Sequence, residues 1–391
     1  MKSSMEHDVR ETSALIVLHF YATGPGQELH AWLAERCGAA VTLLEHPFPF
    51  APRACALVQH WQGGVRVAQR ELPRRAWPVF VRYALDFLRT LRVAIGARRR
   101  FDTYVGNGAF DTLPGIILRW LGRVRRVVLY TIDYAPGAGG SRVYACVYRM
   151  IDRWCCYHAD AIWNLSRRMH AARVADGLNE RRCAPVVWVP HGTHAAALRP
   201  LLPPQPDPAR IVFMGHVQEK SGVQLLVEIL PRLAQRHPSA HLDVVGGGPY
   251  LAALAQQAEC AGVAERVTLH GYIDDHRALE LLLMQCGIGV ALYRPDPGDF
   301  SAYADPGKPK VYLACGLPVV MVNVPEVAEE IERRGAGRSI SYDAGALERA
   351  LDDIIAQHAA FRARACAMAA DYEWDGIFAR AWLETCRGRP R

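Results

Sequence analysis

An alternation of strand-like and helix-like segments runs through the chain and limits its fold more than any other feature. Apolar runs of buried-strand length, such as Ala14–Phe20, are each followed by a segment whose apolar residues recur at helical spacing. Strands that alternate with helices form parallel sheets with helices on both faces. We therefore predict an α/β protein built from doubly wound, Rossmann-like sheets, with a single parallel sheet over residues 1–192.

A proline-rich segment interrupts this alternation. Residues 199–209 (RPLLPPQPDPA) hold five prolines, which predicts a stiff, extended connector. A chain of 391 residues is also too long for one ordinary domain. We predict a first domain over 1–198, a linker over 199–209 and a second domain over 210–372. The last segment, 373–391, is a predicted helix that can return to the first domain.

Charge is distributed unevenly between the two halves of the chain. Residues 1–200 have 27 Lys and Arg against 15 Asp and Glu, whereas residues 201–391 have 19 against 24. A basic half beside an acidic half predicts that the first half faces an anionic partner. Nucleic acid and the cytoplasmic face of a membrane are the two candidates.

The length of the apolar runs and the pattern of cysteines indicate in which cellular compartment the protein is located. No apolar run is long enough to span a membrane, and the start of the chain lacks the pattern of a signal peptide. The eleven cysteines are scattered without any C-x-x-C pair, which predicts reduced thiols. We therefore expect a cytoplasmic protein.

Residues 77–100 (WPVFVRYALDFLRTLRVAIGARRR) are the most unusual predicted helix. A wide apolar surface with aromatic residues is bordered by arginines, and Arg74 and Arg75 precede it. This pattern is typical of a helix that lies on anionic lipid, so residues 74–100 are a candidate membrane-binding surface. A helix that packs its apolar face into the core and exposes its arginines is an equally good interpretation. Nucleic acid is not the expected partner, because no nucleic-acid-binding module is recognisable.

Residues 303–320 (YADPGKPKVYLACGLPVV) contain the strongest candidate for a binding site. Pro306 and Gly307 form a turn ahead of a short apolar helix, so the first N–H groups of that helix are unpaired. Lys308 adds a positive charge at the same place. A helix start with an adjacent cation favours anions, and diphosphates in particular. On spacing alone, an ordinary turn with a surface lysine explains the segment equally well.

Motifs of the second half together resemble one enzyme family. Residues 211–230 (IVFMGHVQEKSGVQLLVEIL) are similar to the "GR…KG" segment of retaining family 4 glycosyltransferases. LDVVGGGP, RVTLHGYI and YLACGLPVV are similar to that family's "VGDGP", "V-x-F-x-G" and "EAMACGLPVV" segments. The resemblance implies the GT-B fold, in which two Rossmann-like domains face a cleft. It also implies transfer of a sugar from a nucleotide diphosphate sugar.

The resemblance further implies which residues contact the donor. The residues implied to bind its diphosphate are Gly215, His216, Lys220, Gly307 and Lys308. The remainder of the implied donor pocket consists of Gly247, Gly248, Tyr303 and Asp305. Gly24 and Gly26, in the turn after the first strand, are expected to line the cleft. No cofactor or metal is expected, because lysines can neutralise the leaving diphosphate and the chain has no D-x-D pair.

The chain departs from the family pattern in the second domain. The family's arginine falls on His216, which removes one permanent charge. The family's pair of glutamates falls on Tyr303 and Val311, and valine cannot accept hydrogen bonds from a ribose. Asp305 or Glu326 can supply that contact instead.

Asp133 is the candidate catalytic residue of the first domain. It ends the predicted strand LYTI, where the family commonly has a histidine. A carboxylate there can orient the acceptor hydroxyl, or act as a general base, which would invert the anomeric configuration. A helix cap or an ion pair with Arg142 is the alternative role for this side chain.

We therefore predict a metal-independent glycosyltransferase that acts in polysaccharide biosynthesis. Its expected acceptor is a saccharide or lipid-linked saccharide, with a polyprenyl carrier favoured, and its expected location is the inner face of the cell membrane. Two other interpretations remain open on the sequence. One is a non-catalytic GT-B-like protein that binds a partner or a sugar nucleotide, and the other is a sugar-nucleotide 2-epimerase of the same fold.

Overall fold

The chain divides into two compact units. A computed structural model describes residues 12–20, 24–36, 38, 40–48, 55–73, 77–97, 99–134, 142–295 and 300–387. The first unit consists of Met1–Pro190 together with Trp374–Arg391, and the second of His191–Glu373. The predicted linker, 199–209, thus lies within the second unit, and the last helix belongs to the first.

An eight-stranded sheet forms the centre of the first unit. Its strands are β1 (Ala14–Phe20), β2 (Ala40–Pro47), β3 (Cys55–Gln62), β4 (Val65–Pro73), β5 (Phe101–Asn107), β6 (Val124–Thr131), β7 (Ala161–Asn164) and β8 (Val186–Trp188). The strand order is β4-β3-β2-β1-β5-β6-β7-β8. From β2 to β8 all neighbours in this order are parallel, as predicted for a doubly wound sheet.

The single parallel sheet predicted for residues 1–192 is wrong at one edge. There, β3 and β4 form an antiparallel hairpin that extends the sheet beyond β2. Gly63 and Gly64 join the two strands with positive φ angles of 55° and 79°, the conformation that tight hairpin turns require. Nearly all residues of β4 are exposed. A strand without a buried face needs no run of apolar residues, and such runs were the signal that predicted the other strands.

Helices cover the first sheet. They are α1 (Pro25–Arg36), α2 (Val79–Gly96), α3 (Ala109–Trp120), α4 (Arg142–His158), α5 (Arg167–Ala175) and the C-terminal helix α14 (Trp374–Arg387). Helix α14 is held by aromatic residues, because the ring of Trp382 lies 6.3 Å from that of Trp32. The indole nitrogen of Trp163 also donates to Thr385 Oγ1 at 2.8 Å.

The second unit contains a six-stranded, wholly parallel sheet. Its strands are β9 (Arg210–Met214), β10 (His241–Val245), β11 (Val267–Gly271), β12 (Ile288–Ala291), β13 (Val319–Val322) and β14 (Gly337–Ile340). The strand order is β11-β10-β9-β12-β13-β14. Strand β14 was not predicted, because its four residues are too few to show a periodicity.

The helices of the second unit begin close to their predicted positions. They are α6 (Ala195–Leu198), α7 (Val223–Arg236), α8 (Leu251–Cys260), α9 (His276–Met284), α10 (Gly307–Ala314), α11 (Glu326–Arg334), α12 (Ala344–Ala356) and α13 (His358–Ala369). Asp275 caps α9, since its side chain accepts hydrogen bonds from the N–H groups of Arg277 and Ala278. None of the described helices is long and apolar enough to cross a bilayer. The ten described cysteines all have free thiols.

Candidate functional site

A pocket at the carboxyl ends of β9 and β12 brings several predicted residues together. It encloses about 800 Å³, including open solvent. Its walls come from the loop after β9, the loop after β12 and the start of α10. The lining residues are Phe213, Met214, His216, Gln218, Lys220, Ser221, Ala291, Leu292, Tyr293, Arg294, Ser301 and Lys308. In parallel α/β sheets ligands bind at this edge, so this pocket is the candidate site of the second unit.

Lys308 places a cation in this pocket that the described residues do not neutralise. Its ammonium lies above Gly215, where a Cβ atom would come within 2.1 Å of Lys308 Nζ. Burial lowers the pKa of Lys308, because the protein removes water from around the ammonium. Among the described residues, no carboxylate forms an ion pair with Lys308 and no hydrogen bond involves its ammonium. A bound anion would supply the missing charge.

Helix α10 holds Lys308 in position through its own buried face. Tyr312, one turn along, is fully buried and its hydroxyl accepts a hydrogen bond from the Met214 N–H at 2.6 Å. The Tyr312 ring packs on Gly289 of β12, where a Cβ atom would lie 2.4 Å from the ring. The start of α10 is therefore fixed to both strands that bound the pocket.

Glycines let two loops beside the pocket pack backbone to backbone. A Cβ atom on Gly248 would lie 2.1 Å from the Val217 carbonyl oxygen, and one on Gly246 would lie 1.9 Å from that of Gly215. The Val217 N–H donates to the Gly247 carbonyl at 2.9 Å. Gly247 and Gly248 do not line the pocket, and they support the loop that carries Gly215 and His216.

Three further cationic or potentially cationic side chains line the pocket. His216 and Lys220 were predicted, and both are exposed to solvent. Arg294 was missed, because it lies in a loop that matches no motif. Its N–H donates to the Lys220 carbonyl at 3.3 Å, which places the two residues side by side. Arg294 also approaches Glu219, with 3.8 Å between the charged atoms.

Asp305 lies beside the pocket and is already engaged by the protein. Its carboxylate accepts hydrogen bonds from Lys310 Nζ at 2.5 Å and from the His191 N–H at 2.6 Å. Lys310 is 1% exposed and lies 4.3 Å from the centre of the Tyr372 ring. Asp305 therefore neutralises an internal cation, and a contact from it to a donor ribose remains a prediction.

Tyr303 and Gly307 are half-buried and are absent from the pocket lining. Gly307 packs against the imidazole of His191, where a Cβ atom would lie 2.7 Å from the ring. A side chain at position 307 would therefore displace His191 or the start of α10. Gly307 acts by permitting close packing at the helix start.

Asp133 of the first unit is presented on a rigid support. It follows β6 and reaches the surface, and the protein atoms around its carboxyl partly desolvate it and raise its pKa. Buried Arg173 donates to Thr131 Oγ1 at 2.9 Å and places its guanidinium 4.6 Å from the centre of the Tyr134 ring. The segment on both sides of Asp133 is thus held by Arg173. Asp133 itself has no ion pair or hydrogen bond to a described residue, Arg142 included.

The turn after β1 is only partly described, since residues 21–23 lie outside the described residues. Gly24 begins the turn into α1, and its carbonyl accepts the Gln27 N–H at 3.0 Å. A Cβ atom on Gly26 would lie 2.2 Å from the side-chain nitrogen of Asn107, so no larger residue fits there. Whether these glycines line a cleft stays a prediction.

Comparison with known proteins identifies the second unit. The family model "Glycosyl transferases group 1" matches residues 208–357, which include the pocket from Phe213 to Lys308. Residues 208–357 form a glycosyl transferase group 1 domain. This finding confirms the predicted resemblance to GT-B glycosyltransferases for the part of the chain that contains Lys220 and Lys308.

The curated relatives are similar to about half of this chain. Glycogen synthase from Mycobacterium tuberculosis is 26% identical over 193 residues, 47% of this chain and 45% of that protein. A GDP-mannose-dependent alpha-(1-6)-phosphatidylinositol monomannoside mannosyltransferase from Mycolicibacterium smegmatis is 29% identical over 195 residues, 46% of this chain and 45% of that protein. Each match spans about half the length of the curated relative.

The fold similarity extends beyond the group 1 domain. HepE from Anabaena, solved in complex with UDP and glucose, aligns with a TM-score of 0.65 at 15% identity. The alignment covers 96% of this chain and 100% of HepE. The chain therefore has the GT-B fold that was predicted, with two domains that each contain a parallel sheet.

The described part of the chain contains no candidate metal site. Among the residues that the structure describes, no cluster of three or more His, Cys, Asp or Glu side chains is arranged to hold a metal ion. The charges that line the pocket of the group 1 domain belong to Lys220, Arg294 and Lys308.

Proposed function

We propose that this protein is a glycosyltransferase that takes its sugar from a nucleotide diphosphate sugar bound in the pocket of the group 1 domain. The observation that carries the proposal is Lys308, a half-buried cation without a partner among the described residues. A nucleoside diphosphate brings the negative charge that this site lacks. The solved complex of HepE with UDP and glucose is consistent with such a ligand in a protein of this fold.

The chemistry explains why cations are needed at this place. Breaking the bond between sugar and diphosphate leaves additional negative charge on the diphosphate. Lys308, already fixed by α10, can stabilise that charge without moving, and Lys220 and Arg294 add charge from the opposite loops. A cation placed in advance stabilises the leaving group more in the transition state than in the ground state.

We assign the acceptor side of the reaction to the first unit, with Asp133 as the residue that contacts the acceptor hydroxyl. Its rigid support on Arg173 and its lack of a described partner favour this role. Its raised pKa is typical of a carboxylate that exchanges protons. The substitution Asp133→Asn keeps the shape of the side chain but removes its charge. The rate of sugar transfer should therefore fall by about 100-fold, while donor binding should be unchanged.

The acceptor is proposed to be a saccharide carried on a lipid, with a polyprenyl carrier favoured, at the cytoplasmic face of the membrane in polysaccharide biosynthesis. The mannosyltransferase relative is named for a lipid acceptor, phosphatidylinositol monomannoside. The described part of the predicted membrane helix, α2, exposes apolar side chains beside arginines. Arg74, Arg75 and Arg98 of the predicted surface 74–100 lie outside the described residues.

A ligand panel tests the proposal directly. The thermal unfolding temperature of the full chain is measured with UDP, GDP, ADP and their common hexose conjugates. We expect one base to stabilise wild-type protein and Lys308→Ala to weaken that binding by about 10- to 100-fold. Arg333→Ala, which removes an exposed arginine of α11, is the matched control and should bind as wild type does.

Two results would overturn the proposal. The absence of binding by every nucleotide would remove the donor site, and unchanged binding by Lys308→Ala would place it elsewhere. Binding without transfer to any lipid or saccharide acceptor would favour a non-catalytic protein. Conversion of a donor sugar to its 2-epimer without an acceptor would favour an epimerase.

A further inference from the structure

Helix α2 packs against the first unit with a face that carries polar residues and exposes part of its apolar surface. The buried residues of α2 are Asp86, Thr90 and Ala94, which recur every four residues along one face. The opposite face exposes Val81, Leu88 and Ile95. An ordinary surface helix has the reverse arrangement. Leu91 and Val93, at the sides of the helix, are partly buried against the core, so both predicted arrangements contribute to its packing.

A buried polar cluster explains how α2 can attach in this orientation. Asp86 lies 3.5 Å from His19 of β1 and 3.4 Å from His46 of β2. Arg89 adds a contact of 3.0 Å to the same carboxylate. His46 also bonds to the Thr90 hydroxyl at 3.0 Å. These contacts fix the polar face of α2 on the sheet and leave its apolar face outward.

The exposed apolar surface continues from α2 across two neighbouring helices. Helix α3 packs against both α2 and α4. Phe110 of α3 fills the space between them, with its ring 4.7 Å from that of Tyr83 and 6.1 Å from that of Tyr144. Trp120 at the end of α3 is 60% exposed, and Val143 and Met150 of α4 are about equally exposed.

Charge on the three helices has one sign at the surface. Helices α2, α3 and α4 contain three acidic residues, Asp86, Asp111 and Asp152, and all three are buried. The same helices contain seven arginines, of which Arg92, Arg142, Arg149 and Arg153 are exposed. The surface therefore offers solvent apolar groups, aromatic rings and guanidinium groups, without an exposed carboxylate from these helices.

We propose that α2, α3 and α4 together form a single surface that binds an anionic lipid bilayer. Aromatic and aliphatic side chains enter the boundary between head groups and acyl chains, while guanidinium groups contact lipid phosphates. This inference deepens the membrane part of the proposed function, since it names a three-helix surface in place of one helix. It does not depend on donor binding.

Vesicle binding of the full chain tests the surface. Partitioning is measured on phosphatidylcholine vesicles with and without about one-third phosphatidylglycerol, at low and high salt. We expect binding to the anionic vesicles that weakens with salt. The double variant Trp120→Ser with Met150→Ser lies entirely outside α2, and we expect it to lower the partition coefficient by about 5-fold or more.

The matched control removes exposed apolar groups from the second unit. Tyr272 is 78% exposed and Leu281 is 46% exposed, and Tyr272→Ser with Leu281→Ser should leave partitioning unchanged. The thermal unfolding temperature of each variant without ligand verifies that it is folded. Stabilisation by nucleoside diphosphates, measured separately, distinguishes failure of this inference from failure of the donor proposal.

Three outcomes would overturn the inference. Equal partitioning of the α3–α4 variant and wild type, with a loss only in Leu88→Ser, would limit the surface to α2. Equal binding to neutral and anionic vesicles, or to neither, would remove the anionic bilayer as the partner. A stable dimer in sedimentation velocity that Trp120→Ser with Met150→Ser dissociates would assign the surface to a second copy of this chain.

Discussion

The two units of this protein treat buried cations in opposite ways. In the first unit, His19 lies 2.8 Å from Asp111 and 3.5 Å from Asp86, so the protein supplies the compensating charge. In the second unit, Lys308 is half-buried and partly desolvated, and it has no partner among the described residues. Both cations lie at the carboxyl edge of a parallel sheet. We infer that the first cation serves the fold, and we propose that the second serves a ligand.

The contrast recurs within a single helix of the second unit. Lys310 is two residues from Lys308 in α10, and it is completely paired with Asp305. An unpaired buried charge lowers the stability of the folded protein. Removing one member of a buried ion pair is strongly destabilising, because the other charge is left without a partner. Stability and binding measurements on these neighbouring lysines should therefore diverge.

The largest expected effect is on stability, in Lys310→Met. Among the residues that the structure describes, this change leaves Asp305 with the His191 N–H as its remaining partner, so the free energy of unfolding should fall by about 3–5 kcal/mol. Lys308→Met is the matched variant and removes a cation that no described residue neutralises. Without ligand, its free energy of unfolding should be unchanged or rise by about 1 kcal/mol. Urea unfolding of both variants measures the difference. Equal losses in the two variants would contradict the comparison.

Stability of the first unit should depend on pH through His19. Burial alone would lower the pKa of His19, but Asp111 and Asp86 outweigh burial and raise it to about 9. The groups that face this imidazole are Asp86, Asp111, His46 and the ring of Tyr83.

Because the folded pKa is higher than the unfolded one, the stabilisation is complete below about pH 6.5 and is lost as pH rises through about 9. The loss should be on the order of 2–3 kcal/mol, measured by urea unfolding at pH 6 and pH 10. In His19→Gln this pH dependence should be reduced. The same slope in His19→Gln and wild type would assign the effect to other groups.

Affinity for nucleoside diphosphates should fall with rising pH because of Lys308. Its pKa is lower than that of an ordinary lysine, which is about 10.4, so Lys308 loses its proton at a lower pH than other lysines as the pH rises. Because anions bind the charged form, affinity should fall about 10-fold as Lys308 loses this proton. Lys308→Arg keeps its charge, and its affinity should stay nearly constant between pH 8 and pH 10.5. Parallel curves for the two proteins would mean that Lys308 does not contact the anion.

Arg294 should give the smallest effect. It is half exposed and lies near Glu219, so Arg294→Ala should weaken nucleoside diphosphate binding only about 5-fold. Glu219→Gln removes a competing carboxylate, and it should strengthen binding slightly if Arg294 contacts the phosphates. Isothermal titration of both variants measures this. Arg277→Ala, an exposed arginine of α9, is the control.

The strand and helix alternation was predicted well because it depends on local periodicity. Strands β9 and β10 have the bounds expected from their apolar runs. The β3–β4 hairpin was missed because β4 is exposed on both faces and has no apolar alternation. The unit boundary at Pro190 was also missed, because the prolines of 199–209 stiffen the chain without marking where contacts separate.

The pocket was predicted in part. The residues Lys220, His216 and Lys308 were expected together and line one pocket, because family motifs place them after adjacent strands. Arg294 matched no motif, and Asp305 was assigned to the donor when its carboxylate is engaged by Lys310. Sequence motifs do not show which charged side chain has a partner inside the protein, because that depends on distances between residues far apart in the chain.

The amino-acid sequence by itself determined the α/β architecture and the helix start that carries Lys308, since both follow from periodicity, turn residues and short motifs. The tertiary structure alone decided which charges are neutralised. Lys308 and Lys310 are the same residue type two positions apart, yet only Lys310 lies within reach of Asp305. It also decided that α2 turns its apolar side outward, because Asp86 finds its partners His19 and His46 on strands distant in sequence. Ion pairs depend on distance in space, which local sequence patterns do not specify.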